Sequence, residues 1–280
     1  MISFSRAALL ASAGTLAAFA LPAPALAQTA DESWTGPYVG GRLGYAFQKK
    51  DSNETVLFDT DLNGTFDNNV TTGTGANAFS PGFCGGAAID RTPDRGCGGD
   101  RDGTDWAAYA GFDYQIGAAV VGIVGEYGRT DISDSVSAFS TTPAFYTLTR
   151  ELRDSASLRA RAGIAMGDTL VYGTGGIAWG KVRSSFATSN TANVFTSSGQ
   201  DDSWGYRAGG GIEQRIGRGF SIGAQYLYTS LKDDDFRVRA GGPAPAGNPF
   251  LRTNAQGTDF ARSGERFNSH SAHVTASFRF

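Results

Sequence analysis

Between Gly36 and Phe280 one pattern recurs: apolar or aromatic side chains at every second position, polar ones between them. In GPYVGGRLGYAF (36–47), Val39, Gly41, Leu43, Tyr45 and Phe47 share one face, and Tyr38, Gly40, Arg42, Gly44 and Ala46 share the other. Period two is the mark of a strand, because successive side chains of an extended backbone point to opposite sides. At 104–116, Trp106, Ala108, Ala110, Phe112, Tyr114 and Ile116 oppose Asp105, Tyr109, Asp113 and Gln115. At 119–130, Val121, Ile123 and Tyr127 oppose Glu126. Leu158, Ala160, Ala162, Ile164 and Met166 oppose Arg159 and Arg161. Trp204, Tyr206, Ala208, Ile212 and Ile216 oppose Arg207, Glu213 and Arg215. Phe220, Ile222, Ala224, Tyr226 and Tyr228 oppose Ser221, Gln225 and Thr229, and Ala272, Val274, Ala276, Phe278 and Phe280 close the series against His273 and Arg279. Segment 169–182 also reads as a strand, but its faces stay open. Lys181 on the polar side would take Val171, Ile177 and Trp179 with it unless a bulge near Gly175 and Gly176 shifts the register.

Eight strands leave seven connections, and these sort by length. Long stretches at about 48–103, 131–155, 184–203 and 231–266 alternate with short turns near Gly117, at Gly167-Asp168 and at Gly217–Gly219. A soluble β-sandwich would alternate too, but its connections need not sort this way. Short turns at one end and long loops at the other belong to a transmembrane barrel. The expected fold is therefore all-β: an eight-stranded antiparallel up-and-down transmembrane β-barrel with long external loops and both termini periplasmic.

Met1 to Ala27 reads as a cleaved signal peptide. Arg6 gives the positive start, Ala7 to Leu21 the apolar stretch, and Ala25-Leu26-Ala27 the small-x-small site. That leaves 28–280 as a single barrel domain whose first external loop runs from about 48 to 103. No later apolar run approaches the roughly 20 residues of a spanning helix. With 24 basic against 27 acidic side chains, the chain lacks the clustered positive excess of a nucleic-acid binder. The two cysteines, Cys84 and Cys97, fall in an exported segment and are expected to form a disulfide pinning the first loop.

At eight strands a barrel interior is just wide enough for side chains to fill. Its polar face would carry Arg42, Arg159, Arg161, Arg207, Arg215 and Arg279 among Asp113, Glu126 and Glu213. Charges in so narrow a lumen must be paired, and arginine, with its bidentate fork, suits this better than lysine. The chain has twenty arginines and four lysines. An ion-paired plug is the first reading of this face, and a selective pore the second.

The segments WTGPYVGGRLGYAF, GFDYQIG, VGIVGEYG, LRARAGIAMGDTLVYGTGGIAWGKV and HVTASFRF, in that order, resemble the small outer-membrane β-barrels. That family includes the alphaproteobacterial outer-membrane immunogenic and opacity-type proteins, often called porin-family proteins. The resemblance covers the strands and none of the loops. It implies residence in the outer membrane of a Gram-negative cell, lipid around the barrel, and recognition of the terminal Phe280, with Phe278, by the outer-membrane assembly machinery. It also leads one to expect glutamate where Gln225 stands, so one inner ion pair would be missing.

Two constellations suggest chemistry. Asp59, Asp61, Asn63 and Asp67, with Gly64 at position six, match part of an EF-hand-type calcium loop, but position twelve is Val70 rather than a carboxylate. An Asx-rich turn explains the same residues. His270 and Ser271 raise the possibility of a lipid hydrolase, yet adjacent positions of a strand point apart. No catalytic residue or cofactor is therefore assigned, calcium excepted. The expected function is a structural, surface-exposed barrel whose external loops contact a ligand or a host surface. A narrow porin is the alternative, and a lipid-modifying hydrolase ranks third.

Overall fold

The computed structural model describes residues 33–49 and 53–280; the expected leader, residues 1–27, lies outside them. In chain order the strands are β1 (Gly36–Phe47), β2 (Val56–Asp59), β3 (Gly82–Gly85), β4 (Gly103–Ile116), β5 (Ala119–Ser140), β6 (Ala144–Met166) and β7 (Thr169–Thr188). They continue with β8 (Val194–Ser198), β9 (Asp202–Arg215), β10 (Phe220–Lys232), β11 (Arg237–Gly241), β12 (Thr258–Arg262) and β13 (Arg266–Arg279). Strands β1, β4, β5, β6, β7, β9, β10 and β13 pair antiparallel in that order, and β13 returns to β1, closing an eight-stranded ring. Closure removes every open edge, as a strand structure in lipid requires.

Tight turns gather at one end, here the turn end. Gly117 and Gly167 each take φ of 60° as the first residue of a two-residue hairpin loop, a conformation that glycine adopts without a Cβ clash. The outer wall is apolar. Leu43, Trp106, Ile123, Leu158, Ile177, Ile212 and Val274 are all exposed on it. From Trp106 to Ile116 the outward face covers ten strand steps, which at about 3.3 Å each and about 40° of tilt makes a band roughly 25 Å high. Trp106, Tyr127, Trp204 and Tyr206 mark its loop end, and Tyr114, Phe220 and Phe278 its turn end. The Arg129–Asp154 pair at 3.0 Å stands just beyond the loop-end aromatics. In β7 the outward set is Val171, Ile177, Trp179 and Lys181, with no bulge at the glycines, so Lys181 lies on the apolar side, opposite Asp202 at the loop-end margin.

The expected loop at 131–155 is not a loop. Strands β5 and β6 run on past the band and turn only at 141–143. Two bulges, at Arg129–Ile132 and Leu152–Ser155, shift the register there. Beyond them both faces are covered: apolar and hydroxyl side chains still alternate, interrupted by Asp134, Phe139 and Arg150. The other long connections fold as well. Strands β2, β12, β11 and β8 form a second sheet that packs on the extended β5–β6 hairpin. Between them lies a core that includes Phe58, Phe79, Tyr146, Leu148, Val238, Phe250 and Phe260. Rings meet there at 4.4 Å (Phe58–Phe79) and 5.0 Å (Phe58–Phe260). The loop end thus carries a folded two-sheet head.

Candidate functional site

The lumen is filled in layers. Each strand of the ring sends alternate side chains inward, and small residues make room for large ones. The Tyr109 ring lies over Gly40 and the Tyr38 ring over Gly111, positions where a Cβ would collide with the tyrosine. At the turn end, Trp34, Val120, Ala165, Leu170 and Tyr172 form an apolar floor. Trp34 donates its indole N–H to the Gly167 carbonyl at 3.2 Å, and the Arg215 and Arg279 guanidiniums lie over its ring. Arg215 also faces Asp168 at 3.5 Å.

Two charged layers follow. In the lower one, Arg161 reaches Glu213 at 2.5 Å and Asp113 at 3.5 Å, and Arg279 reaches Asp113 at 2.9 Å. The Arg161 guanidinium sits 3.9 Å from the centre of the Tyr172 ring. Ser221 and Ser277 donate to the remaining Glu213 oxygen. In the upper layer Glu126 is the hub for three arginines: Arg159 at 2.6 Å, Arg42 at 3.3 Å, and Arg207. Arg42 also pairs with Asp105 at 2.9 Å, and His273 meets the same carboxylate at 3.0 Å. All these side chains are buried or nearly so. A charge held there without a partner would cost several kcal/mol, so the network stands or falls together. Gln225, where the family resemblance implied glutamate, donates instead to the Tyr172 hydroxyl at 3.0 Å. It shares a cavity of about 20 Å³ with Arg159 and Arg161, and Nη1 of Arg159 has no protein partner.

Above the charges an apolar layer crosses the barrel, made by Ala46, Ile132, Leu152, Ala178, Val182, Leu231 and Phe267. A second charged cluster joins barrel to head. Arg150 meets Asp134 at 2.7 Å and Asp233 at 3.6 Å, while Arg262 from β12 meets Glu54 at 2.5 Å and Asp134 at 2.8 Å. These groups lie past the apolar band. Burial pushes the Asp134 carboxyl up, but the Arg150 and Arg262 guanidiniums outweigh it, so the group sits below the ordinary carboxylate range. Burial dominates at Asp233 and at Asp100, and both sit above that range. Alternation in the sequence could not reveal this cluster, because its five members come from five stretches of chain that only the folded head brings together.

The remaining candidates fall as follows. Cys84 and Cys97 are joined in the first connection, where β3 adds to the head end of β5. The Asp59–Asp67 segment is a self-bonded turn. Asp59 accepts the backbone N–H groups of Asn63 and Gly64 at 3.2 and 2.7 Å, Asn63 donates to Asp61, and Asp67 accepts from Asn68. The backbone N–H bonds from this turn hold the Asp59 carboxyl below its usual range despite burial. Among the described residues no group of three or more His, Cys, Asp or Glu is arranged to hold a metal ion. His270 lies on the outer wall against Phe47 and Tyr226, whereas Ser271 is buried in the lumen, so the pair is not brought together. Phe278 and Phe280 face outward at the turn end, their rings 5.2 Å apart.

Known outer-membrane proteins resemble this chain. The 31 kDa outer-membrane immunogenic protein of Brucella melitensis is 29% identical over 220 residues, 75% of this chain and 76% of its own. The 22 kDa outer membrane protein of Rhizobium leguminosarum bv. viciae is 25% identical over 166 residues, 59% of this chain and 71% of its own. The solved outer membrane protease OmpT of Escherichia coli superposes with a TM-score of 0.37 at 9% identity, covering 88% of this chain and 97% of that one. The model of the outer membrane protein beta-barrel domain matches residues 12–280. The chain belongs to that family, and its place is the outer membrane of a Gram-negative bacterium.

Proposed function

We propose that this protein is a closed barrel that holds a folded head outside the cell, and that the head makes its surface contacts. The observation that carries this reading is the stack of buried side chains from Trp34 to Phe260: apolar floor, two ion-paired layers, apolar belt, charged collar and aromatic core follow one another along the barrel. A porin would need a polar path, and the Ile132, Leu152 and Leu231 layer crosses its course. Short turns face the periplasm in barrels of this kind, which puts both ends of the barrel inside and the head outside. Residues 1–27 act as the export signal, and Phe278 and Phe280 present the last strand to the assembly machinery. The separation of His270 from Ser271 supports a role without hydrolysis. The Cys84–Cys97 bridge pins the first connection, and the Asp59–Asp67 turn takes calcium only by giving up its internal hydrogen bonds.

A membrane-impermeant thiol reagent applied to intact cells tests the orientation. Thr191→Cys, at the far end of the head, is expected to label, while a cysteine at Arg218 in a short turn labels only after lysis. Labelling of the Arg218 site alone in intact cells would invert the reading.

A further inference from the structure

The largest cavity described in the head, about 440 Å³, lies at its far tip and falls in the size range of ligand sites, about 300–1,000 Å³. All four long connections of the barrel contribute to it, at residues 72–79, 140–144, 189–192 and 248–250. Along β5 the tip lies thirteen strand steps beyond Tyr127, roughly 40 Å of extended chain. Nothing in the barrel requires the four connections to converge so far from the membrane.

Its chemistry differs from that of three other cavities among the described residues, each of which has at least one charged side chain in its lining. No Asp, Glu, Lys, Arg or His lines it. The Arg252 guanidinium stands beside Gly73 but outside the lining. Beneath the floor the rings of Phe79, Tyr146 and Phe250, each under 5% exposed, pack on one another with centroids 5.2 to 6.0 Å apart and make it rigid. The rim is made of hydroxyls and amides, among them Thr142, Asn190 and Thr191. Asn190 is held in place, donating to the Tyr146 hydroxyl at 2.9 Å and to Asn193 at 3.1 Å. The bond to Tyr146 ties the polar rim to the rings beneath the floor.

We propose that this tip cavity is a binding site for an uncharged carbohydrate. No charged side chain lines the cavity to meet an ionic ligand, Arg252 standing beside Gly73 and outside the lining, and burying an unpaired charge is costly. A purely apolar ligand would leave the rim groups without partners. A sugar ring has C–H faces that pack on the open apolar lining, Pro143, Ala192 and Pro249, and hydroxyls that exchange hydrogen bonds with the threonine and asparagine side chains of the rim. The inference rests on the head facing outward, where glycans of neighbouring surfaces can reach it.

The full chain, refolded in a zwitterionic detergent without a sugar headgroup, is the material for the test. Saturation-transfer NMR is recorded with lactose, mannotriose and chitotriose at millimolar concentration, and with a sulfated disaccharide for comparison. At least one neutral sugar is expected to receive saturation. Thr142→Trp and Thr191→Trp, which fill the cavity from two different turns, are expected to weaken its binding at least tenfold while leaving the heat-resistant barrel intact. No transfer to any neutral sugar, equal transfer in both tryptophan variants, or transfer confined to the sulfated sugar would overturn the proposal. Thiol labelling of Thr191→Cys on cells reports separately on orientation, so an inward-facing head and an empty cavity give different results.

Discussion

The lower and upper halves of the β5–β6 pair are built by the same two strands and solve opposite problems. Below Thr130 their outward side chains, Ile123 and Leu158 among them, face lipid, and the inward ones are Glu126, Arg159 and Arg161. Above Ile132 one face, carrying Val136, Leu148 and Tyr146, is buried against a second sheet. The other holds cross-strand hydroxyl pairs, Ser135–Thr149 at 2.8 Å and Ser137–Thr147 at 2.7 Å, beneath the first connection. In the membrane the solvent outside is hydrocarbon, so apolar area gains nothing by turning inward and the interior can be specified by charge. Outside the membrane the solvent is water, and the hydrophobic effect again fills the interior with rings. The two bulges mark where the rule changes.

If the two regions are held by different forces, they should fail separately, and the largest effects come from their centres. Glu126→Ala leaves Arg42, Arg159 and Arg207 facing one another, and loss of one member of a buried ionic network costs about 3–5 kcal/mol. Urea unfolding of the folded barrel in lipid should show that loss, with the head still protected from protease as long as the barrel stays folded. Phe260→Ala removes the ring at the centre of the head core, at a cost of about 3–5 kcal/mol. Limited proteolysis should then cut the head while the barrel keeps its heat-modifiable migration on a gel. Equal damage to both regions by either change would make them one cooperative unit.

A smaller effect is expected on the lipid face. Ile123→Arg places a charge near the middle of the apolar band, costing about 2–4 kcal/mol, and should appear as slower insertion into vesicles with the lumen network unchanged. The smallest concerns pH. Asp233 and Asp100 have raised values in the folded head, so the folded state binds their protons more tightly than the unfolded chain does. Lowering the pH through those folded values, toward the ordinary carboxylate value of about 3.9, should stabilise the head. Asp134 has the opposite shift: its contribution is complete above the ordinary value and is lost as the pH falls through its lower, folded value. Proteolysis of the head by an acid-active protease should therefore slow on mild acidification and accelerate at strongly acidic pH. A steady loss of protection from neutral pH downward would remove Asp233 and Asp100 from this role.

The barrel was legible in the sequence because lipid on one side and a packed polar lumen on the other force strict alternation. In β1 and β13 every inward and outward position could be read directly. In β7 it could not, since Leu170, Tyr172 and Ala178 inside and Val171, Ile177 and Trp179 outside have similar polarity. The head left no such signal. Its strands β2, β8, β11 and β12 have four or five residues each, too short for a period to emerge, and their partners lie far apart in the chain. Of the lumen network, the arginines and Glu126 stood out by their place on the polar face. The choice of partner, such as Glu126 serving three strands at once, depends on ring closure and could not be read from any one segment.

The proposed plug is tested most directly by planar-bilayer recording of the refolded full chain, beside Glu126→Gln and a Leu231→Ser change in the apolar belt. A closed column gives no steady channels from the parent chain, and the two changes together should admit brief openings. Well-resolved, steady conductance from the unaltered protein would contradict the plug and make the lumen a pore.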